Sequence, residues 1–215
     1  MGAEFLGGVF LKRAVVVLLA FLTLSGCGKK AESEAEKIDI LSIDGINVPF
    51  EKGEQAVSDA LGSKYIKCIN FENADKIKND ELVLVLCDKG DTGNDMEYLT
   101  YSIYWMLDEK DNSHDIKMLD GLDLYSDIET LKKNFGEYLI EGAGNSYSDY
   151  TIFLADGVPV KPVEKDNADD TYLETMAELR TEIKNGDIAD YVQVSFYKSD
   201  DGKAEDHIFQ VIRKK

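Results

Sequence analysis

Three cysteines, two histidines and a large excess of carboxylates are the groups in this chain with chemistry to offer. The cysteines are Cys27, Cys68 and Cys87, and no CxxC pair occurs. With only His114 and His207 to add, and no zinc-type spacing, a Cys/His zinc site is poorly supported. Asp88, Asp91, Asn94 and Asp95 crowd one stretch, DKGDTGND, and oxygen donors at that density can hold calcium. The spacing is not that of D-x-[DN]-x-[DN]-G, and no Glu stands at the twelfth position, so the stretch reads as an exposed hairpin loop. Asp166, Asn167, Asp169 and Asp170 form a second patch, placed to favour the positive end of a following helix. No G-x-S-x-G elbow surrounds a serine. His114 and His207 read as surface residues rather than bases. Gly142-Ala143-Gly144 is not followed by G-K-[ST] and reads as a loop rather than a phosphate cradle. No catalytic residue, metal site or cofactor is expected.

Cys27 stands apart because of what precedes it. Lys12-Arg13 is followed by an apolar run from Ala14 to Leu22 and then by Leu24-Ser25-Gly26-Cys27. A basic region, an apolar core and small residues before a cut site are the layout of a secretory signal. A spanning helix needs roughly 20 apolar residues, and the run to Leu24 has about 11. The four residues Leu24 to Cys27 resemble the lipobox of bacterial lipoproteins at every position. That resemblance implies cleavage before Cys27 and diacylglycerol on its thiol. It places the protein on the extracytoplasmic face of a bacterial membrane or envelope. Residues 1–26 are then the signal peptide. Residues 27–37, nearly free of large apolar groups, are a lipidated tether.

Composition supports a packed core beyond the tether, with 44% hydrophobic residues. The net charge is −18, and removing residues 1–26, which carry Lys12, Arg13 and Glu4, leaves −19. Phosphate recognition needs a basic surface, so nucleic acid is excluded as a partner. The acidic surface suits solubility, and it leaves room for a cationic partner.

The elements follow from periodicity. Ile43-Asp44-Gly45-Ile46-Asn47-Val48 repeats as Leu119-Asp120-Gly121-Leu122-Asp123-Leu124, each a short strand with a turn. Each leads to a short amphipathic helix, with Val57, Ala60 and Leu61 before Gly62, and Ile128, Leu131 and Phe135 before Gly136. Ser126 and Glu129 have the spacing of a capping box. Strands are expected over 65–71, 82–87 and 98–107 in the first half, and over 150–155, 191–198 and 206–213 in the second. Asp156-Gly157 and Asp200-Asp201-Gly202 are turn signals. Leu99, Tyr101, Ile103, Trp105 and Leu107 alternate onto one face, Tyr98, Thr100, Ser102, Tyr104 and Met106 onto the other. A longer helix is expected from Tyr172 to Lys184, with Tyr172, Met176, Leu179 and Ile183 inward. Thr171 and Glu174 would cap it, and Asn185-Gly186 would end it. The first half has no counterpart to this helix.

The fold class is therefore α+β, in two units of antiparallel sheet with packed helices, 38–112 and 113–215. Asp44-Gly45 with Leu61-Gly62, and Asp120-Gly121 with Phe135-Gly136, resemble tandem units of the β-lactamase-inhibitor-protein-like fold. The resemblance implies binding through a sheet face and carries over no catalytic residue. Tyr98, Tyr104 and Tyr197, on the less buried sheet faces, are the candidate partner-binding residues, since tyrosine adds contact area at low entropy cost. Cys68 and Cys87 are a candidate disulfide. If their strands pair antiparallel about Ile77-Lys78, the two stand opposite, with α-carbons about 4.5 Å apart at a non-hydrogen-bonded position.

The expected function is that of a non-enzymatic, lipid-anchored protein that binds another protein. A lipoprotein that binds a small molecule or cation for a transporter or sensor is the alternative. Cys27→Ala is expected to leave the precursor uncut and unlipidated. An unmodified Cys27 thiol, found by mass spectrometry in the native membrane fraction, would contradict the assignment.

Overall fold

The computed structural model describes residues 36–73, 84–103, 114–123, 126–142, 149–198 and 204–215. Cys27, the tether to residue 35, Tyr104 and the Asp200-Asp201-Gly202 turn lie outside them. The described residues form one compact unit of mixed α+β structure, so the halves drawn at 38–112 and 113–215 share a single body.

The repeated Asp-Gly segments build a small sheet. β1 (Leu41–Ile43) and β2 (Ile46–Asn47) are joined by Asp44-Gly45, both at positive φ, which Gly accepts freely and Asp tolerates. β6 (Ile116–Met118) and β7 (Leu122–Asp123) form the matching hairpin, with Leu119, Asp120 and Gly121 at positive φ. The two hairpins pair through β1 and β6, giving the order β2-β1-β6-β7. Aspartates seal both ends of the join. The Asp44 N–H donates to the Asp115 carbonyl at 2.7 Å, and the Asp115 N–H donates to Asp44 Oδ1 at 2.9 Å. At the other end the Asp120 N–H donates to the Asp39 carbonyl at 3.0 Å, and the Asp39 N–H donates to Asp120 Oδ1 at 3.1 Å.

Each hairpin leads to a helix: α1 (Glu54–Leu61) after the first, α2 (Ile128–Phe135) after the second. Each helix runs through a single 3₁₀ turn into a short strand, β3 (Tyr65–Lys67) or β8 (Leu139–Glu141). The capping box expected at Ser126 is displaced by one residue. Asp127 is the N-cap and accepts from the Glu129 N–H, while the Ser126 hydroxyl donates to the Asp123 carbonyl. Gly62 takes positive φ at the end of α1, but Gly136 stays in right-handed space and opens the 3₁₀ turn.

The main sheet has eight strands. β4 (Leu84–Gly93), β5 (Met96–Ile103), β9 (Tyr150–Ala155), β10 (Val158–Pro159), β11 (Asp190–Lys198) and β12 (Ala204–Lys214) join β3 in the order β10-β9-β11-β12-β5-β4-β3, with β8 also on β9. The β12–β5 pairing joins the two halves a second time. Two expectations change here. DKGDTGND is mostly strand, because β4 runs to Gly93 and turns only at Asn94-Asp95. The pairing of β3 with β4 is parallel, not the antiparallel meander expected, with Tyr65 beside Leu84 and Lys67 beside Leu86.

One face of the main sheet packs on the small sheet, α1 and α2. Leu99, Tyr101 and Ile103 of β5, Val192, Val194 and Phe196 of β11, and Phe209 and Val211 of β12 close this core with Val57, Leu61, Leu131 and Phe135. His207, expected at the surface, is fully buried on this face, its ring edge-on to Phe196. The other face is covered in part by α3 (Ala168–Asn185), whose Leu179 and Ile183 meet Phe153, Tyr191 and Ile212. α3 starts four residues earlier than expected. Asn167, not Thr171, is its N-cap and accepts from the Asp170 N–H at 2.8 Å. Asp169 and Asp170 occupy its first turn, as the acidic patch implied, and Gly186 ends it in the left-handed conformation.

Asp44 also holds Lys64 Nζ at 2.6 Å and His114 Nδ1 at 2.8 Å. Lys64, the Asp115 N–H and His114 together hold its carboxyl well below the usual carboxylate range. A lowered folded-state pKa stabilises the fold above the unfolded value, and that contribution is lost as pH falls below it. Asp44→Asn, which keeps the turn, is expected to lose about 0.5–1 kcal/mol at pH 7, because solvent screens the pairs of an exposed carboxylate. The gap should narrow only below about pH 4. Urea unfolding across pH 3–7 checks this, and a gap independent of pH would contradict it.

Candidate functional site

Of the tyrosines expected to face a partner, Tyr98 and Tyr197 lie among the described residues. Tyr98 is half-buried beside the residues that pack under α3. Its ring lies over Gly90 on β4, where a β-carbon would come within 2.6 Å of the hydroxyl, and its hydroxyl donates to Asp88 at 3.2 Å. Tyr197 is half-buried near the end of β11. Tyr172 of α3 lies tilted against Phe153, ring centroids 5.5 Å apart, and donates to Gln193 of β11 at 2.9 Å. The face expected to be less buried is thus covered in part by α3.

Cys68 and Cys87 are both free thiols. Because β3 and β4 run parallel, the antiparallel register behind the expected bridge does not exist. The parallel register nevertheless brings the two thiols into one small cluster with Ile66 and Val85. Burial is the main influence on both: it pushes the Cys87 thiol up to about 11 and the Cys68 thiol in the same direction. Such thiols are poor nucleophiles at neutral pH.

The calcium reading of DKGDTGND has no geometry behind it. Asp88 accepts from Tyr98, and Asp91 pairs with Lys215. Among the described residues no group of three or more potential ligands could hold a metal ion.

Among the described residues a candidate site lies elsewhere, at one end of the main sheet. A cleft of about 750 Å³ opens there between the last turn of α3, the loop that follows it, the β9–β10 turn and the end of β12. Ile183, Ile188 and Ala189 give it an apolar wall. Glu51, Glu97, Asp156, Asp187 and Asp190 give it carboxylates, and Arg213, Lys214 and Lys215 give it cations. Strand register places the charges. Asp190, Arg213 and Glu97 stand side by side on β11, β12 and β5. Arg213 Nε donates to Glu97 Oε1 at 2.5 Å. The guanidinium rests against Gly53, whose positive φ of 87° favours glycine.

Asp190 is only 5% exposed. Among the described residues no hydrogen bond or ion pair engages its side chain, and its carboxylate oxygens keep some contact with solvent in the cleft. The neighbouring Asp156 Oδ1 is occupied by the Ala189 and Asp190 N–H groups, at 3.0 and 3.3 Å. Burial, then the charges of Asp156 and Glu51, push the Asp190 carboxyl up to about 6, against weaker opposition from Arg213 and Lys37. Sequence reasoning missed this site. Asp190 begins a strand and carries no motif, and only its burial marks it.

A raised folded-state pKa reverses the sign seen at Asp44. Between about pH 4 and 6 the folded protein keeps a proton that the unfolded chain releases, so stability falls through that window and stays lower above it. Asp190→Asn is expected to gain about 1–3 kcal/mol at pH 7, since each tenfold change in proton affinity on folding is worth about 1.4 kcal/mol. The gain should vanish near pH 4. A variant less stable than wild type at pH 7 would mean that the carboxylate has a partner.

No protein family, curated protein or solved structure matches this chain. No helix among the described residues is long and apolar enough to cross a membrane.

Proposed function

We propose that this chain is a lipid-anchored, extracytoplasmic, non-enzymatic binding protein whose ligand occupies the cleft at the end of the main sheet. The observation that carries the reading is the buried Asp190 carboxylate lining a 750 Å³ cleft without a partner among the described residues. A largely buried charge is costly unless something neutralises it, and a cation entering the cleft would do so better than the water that reaches it. The lining groups hold charge and shape, which suits recognition more than turnover. The anchor rests on Cys27 and the residues before it. The duplicated succession of hairpin, helix and short strand supports the reading of tandem units similar to the β-lactamase-inhibitor-protein-like fold.

A second reading keeps a protein partner on the sheet face. It is favoured by a strip on β5 and β12 beyond α3, where Tyr98, Thr100, Ile208 and Gln210 are all half-buried.

Native mass spectrometry of the mature protein, extracted from its own membrane in mild detergent, separates the two. A small molecule held by wild type and lost from Ile188→Trp, which fills the cleft, supports the cleft. A co-purifying protein lost from Tyr98→Ala but kept by Ile188→Trp supports the sheet face. Neither species on wild type would overturn both.

A further inference from the structure

We propose that the cleft takes a protonated aliphatic amine, with its ammonium against Asp190 and Asp156 and its methylenes along Ile183, Ile188 and Ala189. The inference rests on reading the cleft as the ligand site and names the ligand's class.

The charge balance points to a cation. Two of the three lining cations are already engaged, Arg213 with Glu97 and Lys215 with Asp91, which lies outside the cleft. That leaves Glu51, Asp156, Asp187 and Asp190 facing Lys214, with Lys37 near Asp190 from the N-terminal segment. Glu51 has exposed Lys52 at 3.8 Å, a weak solvated pair. An anionic ligand would meet this field at a loss.

The shape and the donors decide which cation. Calcium takes six to eight oxygens in a shell, and the described residues gather no set of three ligands at metal spacing. An ammonium needs less: it carries three donors on a compact head and is satisfied by two or three acceptors. Asp190 offers a carboxylate with no donor among the described residues, at 5% exposure, and Asp156 adds charge beside it. The same two carboxylates repel one another when both are ionised, and a cation between them converts that repulsion into attraction. The apolar wall of Ile183, Ile188 and Ala189 matches a methylene chain, which a hydrated metal ion would not use.

The charges around Asp190 also dictate a pH dependence. It is faced by Asp156 from the β9–β10 turn, Glu51 from the 3₁₀ turn before α1, Arg213 from β12 and Lys37 from the N-terminal segment. An ammonium binds only the ionised carboxylate. With half-protonation near pH 6, about a tenth of the free protein is competent at pH 5, so the apparent affinity should be about tenfold weaker there than at pH 7.5.

Titration calorimetry on the mature full chain in detergent, at 0.15 M salt to screen loose surface attraction, tests this. The probes are n-pentylamine and 1,5-diaminopentane, against 1-pentanol, pentanoate and calcium chloride. The expected result is binding of an amine, weakened at least tenfold by Asp190→Asn and by Ile188→Trp, and about tenfold weaker at pH 5. Asp190→Asn is expected to fold at least as well as wild type, so loss of binding cannot be ascribed to unfolding. Pentanoate or calcium binding that Ile188→Trp abolishes, with no amine binding, would overturn the amine and keep the cleft. Amine binding indifferent to both substitutions, or no binding by any probe, would overturn both.

Discussion

The antiparallel join between β1 and β6 is the contact on which the rest of this structure depends. Three residue pairs, Leu41 with Met118, Ser42 with Lys117 and Ile43 with Ile116, bring two hairpins from the two halves of the chain edge to edge. Both ends of that short ladder are closed in the same way. An aspartate in the turn region of one hairpin exchanges two hydrogen bonds with the backbone before the facing strand of the other. Three pairs of strand residues would hold weakly alone. With their ends sealed they become a fixed platform, and α1 and α2 descend from it onto the main sheet. The apolar side chains of β1 and β6, all buried, then complete the core from above.

The second join, β12 against β5, makes one sheet from what the chain order presents as two. Its cost appears at the sheet's end. Rows of Val, Leu, Ile and Phe fill the inner face until the register reaches Asp190, Arg213 and Glu97. One guanidinium stands between two carboxylates, and it donates to Glu97. Asp190 is left with burial on one side and Asp156 on the other. The end of α3 and the loop after it stand off far enough to leave a cleft rather than a filled core. A largely buried acid without a donor among the described residues is an unfavourable feature in a free protein, which the proposed ligand would relieve.

Much of this was legible from residue order because the relevant signals are local. Asp44-Gly45 and Asp156-Gly157 announce turns, the stripes of α1 and α2 announce short helices, and Asn185-Gly186 marks where α3 stops. Strict alternation along β5 put Leu99, Tyr101 and Ile103 inward correctly. The errors came where distant parts of the chain decide. Pairing β3 with β4 in parallel is a choice of topology that two short apolar strands do not encode. DKGDTGND has loop composition, yet β5 runs beside it and holds it as strand through Gly93. His207 looks polar in the sequence, but alternation along β12 turns it into the core with Phe209 and Val211. The caps of α2 and α3 each missed the expected residue, because several neighbouring polar side chains could serve and backbone geometry selects among them. Asp190 was invisible for the deepest reason. Its character comes from Asp156, Glu51 and Arg213, which are remote in sequence and meet only in the fold.

The chemistry of the cleft turns on whether Asp190 waits in the free protein as a buried carboxylate without a donor. Carboxyl carbon-13 chemical shifts, followed by NMR on the selectively labelled protein, report that directly. A titration midpoint near 6, moving downward when n-pentylamine saturates the cleft, is the result predicted. A midpoint near 4 in the free protein, unmoved by the amine, would show a carboxylate already satisfied and would contradict the proposal.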